Sequence, residues 1–120
     1  MANSIEIQLK DILEDYSKEV QDTIAKEARG VARDAAKELK NTSPKKSGDY
    51  ASGWTSKMTD EKTAIVFNRK KPQLTHLLEN GHRVVNKKGE YGRVRGIKHI
   101  EPVADQAEDQ FVERIERDLS

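Results

Sequence analysis

The chain contains no cysteine. That excludes a disulfide framework, a thiol nucleophile and a thiolate metal site, and it suits synthesis in a reducing, cytosolic setting. Aromatic residues make up only 5%, with one tryptophan, so few large side chains are at hand to fill a core. No stretch approaches the roughly 20 apolar residues of a membrane-spanning helix, and the mean hydropathy is −0.89. The start, Met1-Ala2-Asn3-Ser4-Ile5-Glu6, has neither a basic segment nor an apolar run and does not read as a signal peptide. A P-loop, a dinucleotide fingerprint and a nucleophile elbow are missing as well. What the chain has in their place is charge: 36% of its 120 residues, against 34% hydrophobic. A length of this order predicts one domain, residues 1–120, with a thin core under a heavily charged surface.

The net charge is +1, but it is unevenly spread. Residues 1–40 hold 7 basic and 9 acidic residues, residues 41–100 hold 13 and 5, and residues 101–120 hold 2 and 7. A basic middle between acidic ends has three outlets besides plain solvation. It can fold back on itself, pair with the acidic tail of another subunit, or bind a polyanion.

Leu9, Ile12, Tyr16, Val20, Ile24, Ala28, Val31, Ala35 and Leu39 recur at steps of three or four, with Leu13, Ala25, Ala32 and Ala36 widening the stripe. This predicts one long amphipathic helix, stopped at Asn41-Thr42-Ser43-Pro44 because proline disfavours helix at the residue before it. From Leu9 to Lys40 it would be about 48 Å long, against a diameter of roughly 35 Å for a compact chain of this size. It therefore bends, with Gly30 the candidate kink, or projects as an arm whose alanine-rich end meets a neighbour. The alternation in Ile5-Glu6-Ile7-Gln8-Leu9 also suits a short preceding strand.

Residues 45–53 read as loop. Trp54–Met58 and Thr63–Phe67, separated by Thr59-Asp60-Glu61-Lys62, read as a β-hairpin that needs a third strand, a helix cover or a partner. A short helix over Gln73–Glu79 is closed by Asn80-Gly81, and Arg83-Val84-Val85 suits a brief strand. Asn86–Gly96 reads as a flexible basic loop. Pro102 opens a final helix with the stripe Ala104, Ala107, Phe111, Ile115 and Leu119, and Glu101, Asp105 and Glu108 favour its positive end. The fold class expected is α+β.

Signals for chemistry are sparse. His76 and Glu79 share a face of the short helix, but zinc needs three or four ligands and no second spaced pair accompanies them. A serine and a histidine somewhere in a chain do not make a catalytic constellation, which disfavours a small nuclease-like or antitoxin-like enzyme. No metal, cofactor or catalytic residue is expected. The basic segment 87–98, with Lys87, Lys88, Arg93, Arg95 and Lys98, suits contact with a partner or with nucleic acid through phosphates without sequence readout. Trp54 suits either a core position or an interface anchor.

Three blocks carry a resemblance. Ser43-Pro44-Lys45-Lys46-Ser47-Gly48-Asp49-Tyr50 is followed by Gly53-Trp54. Leu74-Thr75-His76-Leu77-Leu78-Glu79-Asn80-Gly81-His82 has the form of a short helix ending in Glu-x-Gly-His. Gly92-Arg93-Val94 is followed by His99-Ile100-Glu101-Pro102-Val103, with Lys98 and Val103 where proline and alanine are common. In this order they resemble the neck, or tail-completion, proteins of long-tailed bacteriophages, in the variety found in phages and prophages of Gram-positive bacteria. The resemblance implies a structural virion protein at the head–tail junction, made in the host cytoplasm and acting by assembly. Its expected partners are its own copies in a ring, head-completion or connector proteins, and tail-tube or tail-terminator proteins, with packaged DNA a further contact. Trp54, Leu74, His76, Glu79, Gly81, His82, His99 and Pro102 then become candidate interface or fold-anchoring residues. The rival reading is a small non-specific DNA-binding module that uses the basic segment.

Overall fold

The first apolar residues form a strand, and the long helix starts later than the stripe suggests. The computed structural model describes residues 4–9, 16–44, 48–60, 62–86 and 89–119, with side chains for all of these except 82–94 and 119. Ile5–Gln8 is strand β1. The Leu9 N–H donates to the Lys62 carbonyl at 2.7 Å, so Leu9 is fully buried at the end of a strand. Ile12 and Leu13 lie outside the described residues. Tyr16 is 45% exposed and precedes the helix, because Ser17 is extended and its Oγ accepts from the Val20 N–H at 3.3 Å as the N-cap.

Helix α1 runs Lys18–Thr42, about 37 Å at 1.5 Å per residue. It buries Ile24, Ala28, Val31, Ala32, Ala35, Ala36 and Leu39. It continues as helix through Gly30. A Cβ at Gly30 would meet the Arg114 guanidinium at 2.9 Å, so the glycine makes room for a side chain of the last helix. Ser43 returns to extended backbone at the helix end, as the following proline requires.

The segment read as loop contains one helical turn, α2, Asp49–Ser52, entered through Gly48 at φ 84° and burying Tyr50 and Ala51. Residues 45–47 lie outside the described residues. The expected hairpin is present as β2, Trp54–Asp60, and β3, Thr63–Asn68. The third strand it needs is β1. The order is β1-β3-β2, antiparallel throughout, with Ile5 opposite Val66 and Trp54 opposite Asn68. Alternation sends Ala64, Val66 and Asn68 of β3 inward.

Helix α3 is Leu74–Asn80, shifted by one residue from the expected span. Gly81 ends it at φ 79°, ψ 177°, a region open in practice only to glycine, and turns the chain into strand β4, Gly81–Asn86. The stretch expected as a flexible loop is mostly strand β5, Gly89–Arg95. It pairs antiparallel with β4 from Gly81↔Arg95 to Asn86↔Gly89, with a register shift at Val84/Val85. Glycines and charges masked the β signal there, while cross-strand pairing supplies the order. The last helix, α4, is Ile100–Leu119. Ile100, Val103 and Ala107 are buried, and Ala104, Phe111 and Ile115 pack on the same core.

The sheet and α4 both pack on α1, so the alanine-rich end of α1 is covered within the chain. The molecule is nevertheless long, 62 × 24 × 21 Å with a radius of gyration of 17.1 Å, where a compact chain of this length would have about 14 Å. The β4–β5 ribbon is the projecting element. Among the described residues it packs on itself and, at its base, on α3, with only isolated contacts to other elements.

The base is tight. A Cβ at Gly96 would lie 2.5–2.8 Å from backbone atoms of Glu79, Asn80 and Gly81. Gly96→Ala is therefore expected to destabilise the fold by about 1–3 kcal/mol, read as a lower midpoint in urea unfolding with an unchanged slope.

Candidate functional site

Where α3 ends, the ribbon begins and α4 starts, the chain buries a carboxylate. Glu79 is 2% exposed. Its Oε1 accepts the backbone N–H groups of His99 and Ile100, both at 2.8 Å, and its Oε2 accepts that of Glu101 at 3.0 Å. These are orphan donors of the first turn of α4, and a negative charge at a helix N-terminus is favourable. Glu79 thus caps α4 from 20 residues upstream. Burial alone would raise its pKa, but the three N–H donors and the adjacent His99 ring prevail, holding it below the ordinary glutamate value.

His99, 3% exposed, extends the network. Its Nδ1 lies 2.9 Å from Glu79 Oε1 and 2.7 Å from the Ile97 carbonyl. Both partners are acceptors, so Nδ1 carries a hydrogen, and on the other side of the ring Nε2 and the Tyr50 hydroxyl are hydrogen-bonded at 2.7 Å. Rings of Tyr50, Trp54 and His99 meet edge-on, with centroids 5.6–6.5 Å apart. Trp54 Nε1–H donates to Ser43 Oγ at 2.8 Å, fastening the end of α1. Asn68 donates to the Tyr50 carbonyl at 2.7 Å and accepts from the Lys71 N–H at 2.9 Å. Hydrogen bonds and edge-on ring contacts together tie α1, α2, β2, β3, α3 and α4 at this point.

Burial, and then the Glu79 charge, push the Tyr50 pKa well above the usual tyrosine value of 10.0. A raised folded-state pKa means stability that is present below pH 10 and lost as the pH climbs above it. Tyr50→Phe is expected to cost about 1–3 kcal/mol near neutral pH, because His99 Nε2 loses its partner, and to flatten the alkaline loss. Urea unfolding across that range measures both.

The arrangement has little spare chemical capacity, since the Glu79 oxygens are taken up by fixed donors. Open clefts of about 560, 350 and 330 Å³ lie elsewhere, lined by residues of α1, β1, β2, the β2–β3 turn and α4. His76 does not join Glu79. It is exposed, and its ring pairs with the Asn80 amide at 3.2 Å. Among the described residues no three His, Asp or Glu converge on a metal-sized site.

Of the other singled-out residues, Trp54 is 1% exposed and Leu74 packs on the core. Pro102 is exposed in the first turn of α4. His82 stands opposite Val94 at the ribbon base. Lys98 is exposed and donates to Asn80 Oδ1 at 2.7 Å. Arg93 stands opposite Arg83, and Arg95 is exposed. Lys87 and Lys88 lie outside the described residues. Ser43, Tyr50 and Asn68 were not singled out as site residues. A tyrosine next to a glycine-rich loop and an asparagine at a strand end give no sign of burial in the sequence.

The family model described as "Bacteriophage HK97-gp10, putative tail-component" matches residues 7–81. The match takes in the Ser43–Tyr50 and Leu74–Gly81 blocks and ends where the ribbon begins. Comparison with curated proteins and with solved structures gives no match.

Proposed function

The chain belongs to this HK97-gp10-like family of phage tail components, and from that premise we propose that it is a neck or tail-completion protein, joining head to tail as a ring of its own copies. Membership makes it a structural phage component that meets other virion proteins. The finer reading places residues 1–120 as one assembly unit between the connector side of the head and the tail tube or its terminator, acting without catalysis.

The observation that carries this reading is the β4–β5 ribbon. A two-stranded hairpin alone is marginal in water, and this one leaves the body with support only at its base. Such an arm gains its stability by docking. The buried Glu79 network suits the same role, since it fixes the direction in which arm and last helix leave the body and holds no free reactive group.

The test is deletion of the gene in its phage or prophage, followed by electron microscopy and plaque assay. Filled heads and separate tails are expected, rejoined when the gene is supplied in trans. Complete infectious particles lacking the chain would overturn the proposal.

A further inference from the structure

Two surfaces of the chain carry opposite charge. On α4 both basic residues turn toward α1: Arg114 binds Asp34, and Arg117 lies 3.6 Å from Glu27. Opposite the buried stripe, Glu101, Asp105, Glu108, Asp109, Glu113 and Glu116 are all exposed. At 100° per residue they fall in one band along the helix, with Val112, 49% exposed, among them. From Glu101 to Glu116 the band is about 22 Å long. Among the described residues none of the six is in an ion pair.

The ribbon is the counterpart. Residues 81–95 hold five basic residues and one acidic. Arg83 pairs directly with Arg93, and Arg95, two residues further along β5, shares that face by strand alternation. Like charges opposed in a ladder destabilise it, and an anionic partner laid along the pair relieves that repulsion. The three arginines cluster near the base of the ribbon, where Gly81 pairs with Arg95. Within the chain the ribbon makes no more than isolated contacts with α4, so the two faces do not satisfy each other internally.

We infer that the arginine face of the ribbon in one copy docks along the acidic face of α4 in the next copy. This rests on the ring reading above and names its contact. Ribbon and helix are different elements, so the interface is heterologous and propagates from copy to copy until it closes. A second copy is favoured over a nucleic acid on charge. The whole chain is only +1, and the acidic band on α4 would repel a polyanion that the ribbon attracts.

The test uses the purified full chain in analytical ultracentrifugation. Wild type is expected to form species larger than a dimer. These should weaken by about tenfold or more from about 0.1 M to about 1 M salt, which shortens the Debye length from about 10 to about 3 Å. A ribbon variant, Arg83→Glu with Arg93→Glu and Arg95→Glu, is expected to remain monomeric. So is a helix variant, Asp105→Lys with Asp109→Lys and Glu113→Lys. Circular dichroism checks that both retain α1 and α4. Mixing the two variants, or combining all six substitutions in one chain, restores complementary faces and is expected to restore association.

Wild type that stays monomeric or stops at a dimer overturns the inference, as does a pair of variants that fails to rescue. Loss of duplex DNA binding in the ribbon variant with self-association unchanged also overturns it, by assigning the arm to a polyanion. Any of these outcomes leaves the proposed neck role standing if the gene deletion still separates heads from tails.

Discussion

Glu79→Ala is expected to destabilise the protein by about 3–5 kcal/mol, because it removes a buried charge whose partners stay behind. Three N–H groups at the start of α4 would lose their acceptor, and His99 Nδ1 would keep only the Ile97 carbonyl. The melting temperature should fall by roughly 10–20 °C. Glu79→Gln keeps the volume but presents donors to donors, and should cost about 1–3 kcal/mol. The acid limb separates a cap from simple packing. The Glu79 pKa is lowered in the folded chain, so its contribution is present above the ordinary value of 4.5 and is lost as pH falls through the folded value. Wild type should therefore lose stability in that window more steeply than Glu79→Gln. Parallel acid limbs in urea unfolding would show that the carboxylate does not cap α4.

The second large effect is expected at Trp54. Its ring is 1% exposed, packed between Tyr50 and His99, and its N–H is held by Ser43. Trp54→Ala leaves a cavity and an unpaired buried hydroxyl, at a cost of about 3–5 kcal/mol. For a chain with so small an aromatic core, this approaches the whole margin of a typical domain. Loss of the cooperative thermal transition, or a midpoint tens of degrees lower, is the expected readout. Trp54→Phe should retain most of the packing and lose about 1 kcal/mol with the hydrogen bond. If the alanine variant melts like wild type, the ring is not where the core is held.

The acid-sensitive cap and the tryptophan bear on assembly through the same geometry. Both sit where arm and last helix depart from the body, and loosening either would blur the angle between the two faces that we infer meet in neighbouring copies. A variant that melts lower but still docks would separate stability from direction.

Local pattern determined a good deal of this protein. The apolar stripe of α1, the β2–β3 run, the glycine that ends α3 and the stripe of α4 were legible because each is set by the period of its own element or by one residue's backbone freedom. The polarised charge map was equally plain. What only the tertiary structure decided is where separate segments meet. Leu9 fits a helical stripe and an extended chain alike, and its N–H bond to the Lys62 carbonyl keeps it with the end of β1 and not in the helix. Asn86–Gly96 is too rich in glycine and charge to announce a strand, and gains its order from β4. Glu79 shares a helix face with His76, yet its donors lie twenty residues on. Periodicity records only the neighbours along one element, whereas a buried carboxylate is defined by groups that folding brings from elsewhere.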